Sequence, residues 1–344
     1  MSPHTEIGPV LANYSMNPYA FSFTPAYARG GEKKPIDDLD GSGLSARDVI
    51  DGELAKLKSD TLRVQPEDDS RSLRVTSFTK YADFTFVEFE VGRAGLVGNL
   101  HQESGTKIPI KEKDHSGTLV RAMFVYPAGE HEVYWLSERS STTSAFGYLE
   151  SLLVSALRQA TEKAKLTVKL DPVAEWTALQ GWASQVMVRE IRFDAPRPGG
   201  ATQAIDVNGV SADVRFIVKP RGSLTLNRLL KNGGPDKQAV FGFLTDLPMV
   251  RKNSTANSVM KQGWRAQVAF KTRSGRQRSF GIAAEDKAPT LVYPVGPQGA
   301  GVSQTRRPPH KEFAVACHEF LDDVGGDLPG LMSVAQSILK TYEL

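Results

Sequence analysis

Asp83-Phe-Thr-Phe-Val-Glu-Phe-Glu-Val91 decides the fold class. Aromatic and β-branched residues dominate the run, which is a strand signature rather than a helical one. Outward from it, Ser72–Lys80, Gly117–Tyr126 and His131-Glu-Val-Tyr-Trp-Leu136 read as further strands, and Pro127-Ala-Gly-Glu130 between the last two has hairpin length. Upstream, Ala20-Phe-Ser-Phe-Thr24 alternates like a strand, and 30–43 reads as a loop. Ser45 has the chemistry of a helix N-cap, with Asp48 in the first turn and Val49, Ile50, Leu54 and Leu57 on one face. Downstream, Phe146, Leu149, Leu153, Leu157 and Ala160 recur at helical spacing, so 143–163 is expected to be a helix burying one face on the sheet.

The second half of the chain differs in composition. Leu166–Leu170 reads as a strand, Pro172–Ala183 as a helix and Gln185–Phe193 as a strand, before a break at Ala195-Pro-Arg-Pro-Gly-Gly200. Asp213–Val218 then reads as a strand, Leu224–Lys231 as a short helix stopped by Asn232-Gly-Gly, and Trp264–Thr272 with Gln277–Ala283 as a hairpin turning at Ser274-Gly275. After a Pro- and Gly-rich loop over Pro294–Pro309 come two helices, Lys311–Val324 and Leu328–Tyr342, whose acidic character resembles the N-terminal half. The expectation is an α+β protein of two domains, with antiparallel or mixed sheets and packed helices. One domain comprises 1–164 with the C-terminal helices of 308–344, and the other is a basic module over 165–307.

Charge carries the functional reading. Between Arg215 and Arg278 stand 14 Lys and Arg against only Asp236 and Asp246, an excess of twelve. The whole chain of 344 residues has 42 Lys and Arg against 39 Asp and Glu, which leaves the remainder at −9. Charged surfaces ordinarily mix both signs, so a segment without acids points to a polyanion, and nucleic acid is the leading ligand. The candidate phosphate contacts are Lys219, Arg221, Arg228, Lys231, Arg251, Lys252, Lys261, Arg265, Lys271, Arg273, Arg276 and Arg278. Trp264, Phe270 and Phe280 alternate on a hairpin, where such residues are more often core than stacking platform. Without a base-reading signature, binding to the backbone, insensitive to sequence and directed at duplex DNA, is expected.

Catalytic signals are sparse. The chain has no phosphate loop ending in Gly-Lys-Ser/Thr, no His-Glu-x-x-His and no Gly-x-Ser-x-Gly. Cys317-His318 are neighbours about 100° apart on a helix, and the cysteine falls on an apolar stripe with Phe313, Phe320 and Leu321, so it reads as core. Asp38-Leu-Asp40-Gly-Ser-Gly43 resembles a calcium loop but has Val49 where the bidentate Glu belongs. The enzymatic alternative is a metal-dependent nuclease using Asp236, Glu285 and Lys287; another is a phage module that binds protein. The leading reading needs no cofactor and no metal. The single cysteine and the lack of a secretory pattern or an apolar span lead to a cytoplasmic expectation.

The order of strings resembles a known family. Phe84-Thr-Phe-Val-Glu-Phe89, Arg121-Ala-Met-Phe-Val-Tyr-Pro127, Ser137-Glu-Arg-Ser-Ser-Thr-Thr143 leading into a helix, and Phe216-Ile-Val-Lys-Pro-Arg221 before a basic helix resemble the RexA-like phage-exclusion proteins of temperate phages. The resemblance implies a homodimer of two-domain α+β chains with an overall likeness to the recombination-associated protein RdgC. It further implies sequence-independent DNA binding, one domain swivelling on the other, and phage exclusion alongside a membrane partner resembling RexB. It carries over to Lys219 and Arg221.

Overall fold

The computed structural model describes residues 14–27, 32–58, 63–65, 68–94, 98–101, 107–111, 116–140, 143–173, 187–194, 205–207, 210–212, 215–220, 224–231, 234–245, 255–261, 264–271, 277–282, 291–296, 307–324 and 328–344. The fold is α+β. The chain divides into two compact units, Met1–Leu170 with Pro294–Leu344, and Asp171–Tyr293.

The first unit contains β1 (Tyr14–Pro25), α1 (Ala46–Lys56), β2 (Arg63–Gln65), β3 (Asp68–Lys80), β4 (Phe84–Arg93), β5 (Gly98–His101), β6 (Lys107–Ile110), β7 (Ser116–Val125), β8 (Glu132–Ser140), β9 (Thr143–Ser144), α2 (Phe146–Ala160) and β10 (Leu166–Pro172). Its sheet runs β10-β1-β8-β7-β4-β3-β2, with β9 on β8 and β5-β6 a separate hairpin. The β1/β8, β8/β7, β7/β4 and β4/β3 ladders are antiparallel. Both side-chain parities are apolar in the middle strands: Val120–Val125 and Val133–Glu138 are buried without a break. Such a sheet needs a cover on each face.

On one face lie α1 and α2. Phe21, Phe23, Val87, Phe89, Ala122, Phe124 and Trp135 of the sheet pack there with Ile50, Leu54, Leu149, Leu153 and Leu157 of the helices. Ser45 caps α1, its Oγ accepting from Arg47 N at 3.1 Å. Buried Asp51 ties that helix to the sheet, accepting from Tyr126 Oη at 3.0 Å and Thr85 Oγ1 at 3.2 Å, with Lys80 Nζ 3.2 Å away. Burial and the nearby Asp51 carboxylate hold the Tyr126 phenol well above its ordinary pKa. Helix α2 begins at Phe146 rather than Thr143, because Thr143 and Ser144 pair with Ser140 and Arg139. Ser144 Oγ then accepts from Phe146 N at 3.1 Å.

The second unit holds β11 (Met187–Asp194), β12 (Ile205–Val207), β13 (Val210–Ala212), β14 (Arg215–Val218), a 3-10 turn (Leu226–Leu229), β15 (Leu230–Lys231), β16 (Gly234–Pro235), α3 (Lys237–Thr245), α4 (Ala256–Lys261), β17 (Arg265–Lys271), β18 (Gln277–Ile282) and β19 (Leu291–Pro294). Its main sheet runs β14-β11-β17-β18-β19. One face is its core: Ile191, Phe193, Val268, Phe270 and Phe280 are buried, and Phe241 of α3 packs on Phe193 at 6.0 Å. The helix expected over 224–231 is a correction. Only Leu226–Leu229 is helical, as a 3-10 turn, and Leu230 and Lys231 pair with Pro235 and Gly234. Of the helix expected over 172–183 only Pro172 and Val173 are described, and Pro172 ends β10; the break at 195–200 lies outside the described residues, as do 297–306 of the loop expected over 294–309.

The other face of the first sheet is covered by α5 (His310–Val324) and α6 (Pro329–Tyr342). Phe86 meets Phe313 and Tyr342, each at 6.2 Å between ring centroids, and Tyr134 meets Phe320 at 5.8 Å. The start of α6 approaches the β7-β8 turn so closely that a Cβ on Gly330 would lie 2.9 Å from the Ala128 carbonyl oxygen. Gly330→Ala should therefore destabilise the first unit by about 1–3 kcal/mol in urea unfolding. At Gly52, exposed in the middle of α1 with nothing within 4 Å of an added Cβ, Ala should stabilise by about 0.4–1 kcal/mol in the same assay.

Candidate nucleic-acid interface

The antiparallel register of the second unit turns a list of cations into a surface. Asp194 lies opposite both Arg215 and Arg265, Arg192 opposite Ile217 and Gln267, and Met187 opposite Lys271. Residues opposite one another share a face, so these positions lie on the side of the sheet away from the Phe193, Val268 and Phe280 core. Lys219 continues the alternation of Arg215 and Ile217 past the end of β14 and is exposed. Arg265 is exposed too. Arg192 is half-buried and bonds Glu190 through Nε at 2.5 Å. Ala269 and Ser279 on the same face are buried, with Gln267 Nε2 donating to Ser279 Oγ at 2.9 Å.

Other candidates fall elsewhere. Arg228 is exposed on the 3-10 turn, in the layer that covers the apolar face. Arg278 lies opposite Phe270, in register with the core row. Lys231 ends β15 and Lys261 ends α4. Arg221, Arg251, Lys252, Arg273 and Arg276 lie outside the described residues. The register thus brings Lys219, Arg265 and Lys271 onto one face together with Arg192 and Arg215, and it separates them from Arg228 and Arg278. Among the described residues no carboxylate stands within ion-pair distance of Lys219, Arg228 or Arg265. The unit as a whole holds 18 Lys and Arg against 10 Asp and Glu. Phe270 and Phe280 of the hairpin belong to the core and are fully buried, whereas Trp264, just before β17, is half-buried and packs on the half-buried Phe216 ring at 5.7 Å.

Asp236 is occupied as a helix cap. Its Oδ1 accepts from Ala239 N at 3.0 Å and its carbonyl from Val240 N at 3.0 Å, while its own amide donates to Leu229 O at 2.7 Å. This is the bonding of an N-cap at the head of α3. Glu285 and Lys287 lie outside the described residues. The described residues contain no group of three or more His, Cys, Asp or Glu that would hold a metal ion. In the loop at Asp38–Gly43 the carboxylates serve the backbone, Asp40 Oδ1 accepting from Ser42 N at 2.9 Å and Asp38 Oδ1 from Gly43 N at 2.8 Å. Cys317 is buried, and burial, with the Glu138 carboxylate adding to it, pushes its thiol well above the ordinary pKa, the opposite of an activated nucleophile.

A second polar constellation escaped sequence reasoning. Arg121 on β7 and Glu138 on β8 are both fully buried between the first sheet and α5. Arg121 Nε and Nη2 donate to the two Glu138 oxygens at 2.9 and 2.7 Å, and Arg121 N donates to Glu138 Oε2 at 2.9 Å. Nη2 also donates to the Pro308 carbonyl at 2.7 Å, and the guanidinium lies over the Phe313 ring at 5.4 Å. Arg307 extends the group, 2.8 Å from Glu88 and 3.4 Å from Glu138, and His310 Nε2 lies 3.1 Å from Glu88. The available signal was Arg121, a lone charge inside the apolar run Leu119–Val125; Glu138, between Ser137 and Arg139, gives none. Two Arg against two Glu, with every carboxylate partnered, make this a structural cluster.

Compared with protein-family models, curated proteins and solved structures, the chain matches none of them. Among the described residues no helix is long and apolar enough to cross a membrane.

The buried pair has a measurable signature. Glu138→Gln or Arg121→Met alone should cost about 3–5 kcal/mol in denaturant unfolding by leaving a partner charge buried, whereas Arg121→Met with Glu138→Leu should recover most of that loss. Additive losses in the double variant would show that the two side chains act independently.

Proposed function

We propose that this chain binds DNA through the backbone, without sequence preference, and that the second unit makes the contact. The observation that carries the reading is the excess of twelve positive charges between Arg215 and Arg278. It is supported by the exposure of Lys219, Arg228 and Arg265, none of them neutralised by a described carboxylate. Phosphates are the groups such a surface recognises, because each Lys or Arg displaces condensed counterions from a nucleic acid and gains affinity by their release. Buried aromatic rings and a capped Asp236 favour backbone contact over base reading or hydrolysis. The proposal includes a cytoplasmic setting, where nucleic acid is accessible. The wider role, phage exclusion by a homodimer alongside a membrane partner resembling RexB, rests on the RexA-like resemblance alone.

Fluorescence anisotropy with mixed-sequence DNA over a salt series tests the binding. Affinity should fall by several orders of magnitude from low to high salt, with a slope corresponding to about 5–8 phosphates. Lys219→Glu with Arg265→Glu should weaken binding by about tenfold or more and flatten the slope, while changing stability by less than about 0.5 kcal/mol. An affinity indifferent to salt, or to these substitutions in folded protein, would move the basic surface to a protein partner.

A further inference from the structure

Five large apolar side chains are exposed among the described residues, and two of them, Ile217 (53%) and Met187 (38%), belong to the second unit. Both stand on the face that carries exposed Lys219 and Arg265. Ile217 is opposite Arg192 and two residues from Lys219; Met187 is opposite Lys271. Leaving such groups in water forgoes the free energy of burying apolar surface, so a ligand with apolar area as well as anions suits the face. A closed duplex turns its phosphates outward and keeps its base faces stacked. An unpaired strand presents both.

The shape of the accessible region agrees. The face is closed over Ala269 and Ser279 and open along β14 and β11, at Met187, Ile217 and Lys219, with exposed Arg265 on β17. Adjacent strands lie about 4.8 Å apart, so two of them with their side chains form a strip on the order of 10 Å wide. That is a track for one nucleotide chain. We propose that this strip binds single-stranded nucleic acid in preference to duplex, with phosphates held by Lys219 and Arg265 and unstacked bases resting on Ile217 and Met187. The inference rests on the DNA-binding reading and specifies its ligand.

Aliphatic contacts to a base are worth less than aromatic stacking, and the Phe270 and Phe280 rings are buried, so the preference should be moderate. Anisotropy of the full chain with fluorescein-labelled 20-nucleotide DNA, single-stranded and duplex, measures it directly. The single strand should bind about tenfold tighter than duplex of the same length. Ile217→Ser with Met187→Ser should remove most of that difference, leaving duplex affinity and the salt slope unchanged; thermal unfolding of the variant verifies its fold. Duplex binding as tight as the single strand, or an equal loss on both ligands in the folded variant, would overturn the single-strand assignment while leaving the DNA-binding reading intact. Failure of the unsubstituted chain to bind either ligand would overturn both.

Discussion

The buried bidentate pair between Arg121 and Glu138 is the interaction on which the first unit depends. A sheet covered on both faces obtains most of its stability from apolar contact, and apolar contact is indifferent to which helix supplies it. The pair is not indifferent. Burying two charges is costly unless their donors and acceptors find fitting partners: both Glu138 oxygens do, Arg121 Nη2 also reaches the Pro308 carbonyl and Arg307 lies against Glu138, while Arg121 Nη1 and Arg307 Nε have no hydrogen-bond partner among the described residues. Arg307 and Pro308 arrive from a segment more than 160 residues further along the chain. The returning chain is therefore located by a polar address, after which Phe313, Phe320 and Tyr342 fill the apolar surface around it. On this account the pair contributes more to selecting one docking geometry for α5 and α6 than to net stability.

The same pair shows where sequence reading stops. Strands β4, β7 and β8 and helix α2 are legible because their apolar spacing has a period, and Ser45 as a cap because its chemistry is local. Glu138, between Ser137 and Arg139, looks like a solvent-facing residue, and Arg121 is a lone charge in an apolar run whose partner the local sequence does not name. Only the presence of α5 over that face makes them interior, and this is a long-range fact without a local signature. The start of α2 and the 224–231 segment differ from the expected helices for a related reason. Thr143-Ser144 and Leu230-Lys231 are both taken by strand partners, so pairing outweighs helix propensity at those positions.

For the candidate interface, the charge was legible and the surface was not. Counting acids and bases identifies the segment, since it uses composition alone. Grouping its residues requires register, and a shift of one residue in β17 or β18 exchanges Arg278 with its neighbours across the sheet. With the observed pairing, Lys219, Arg265 and Lys271 belong with Arg192 and Arg215, while Arg278 joins the Phe270 row. Asp236 is a similar case. A carboxylate after Gly233-Gly234-Pro235 serves a metal site and a helix cap equally well in sequence, and the Ala239 amide 3.0 Å away shows the capping role.

A unit with eight excess positive charges must fold against its own repulsion. It manages this by separating the two problems. The core residues Ile191, Phe193, Phe241, Val268, Phe270 and Phe280 occupy one side of the sheet, and the polar register rows occupy the other. Repulsion among exposed cations is weakened beyond about 8 Å at physiological ionic strength, so the surplus is tolerable without being neutralised internally. Internal neutralisation would have been the simpler route to stability, through an acid beside each base. Among the described residues no carboxylate lies within ion-pair distance of Lys219 or Arg265, which leaves part of their electrostatic energy to be gained from an anion. Any anion that fits the surface binds the folded unit better than the unfolded one, so binding and folding of this unit are thermodynamically linked.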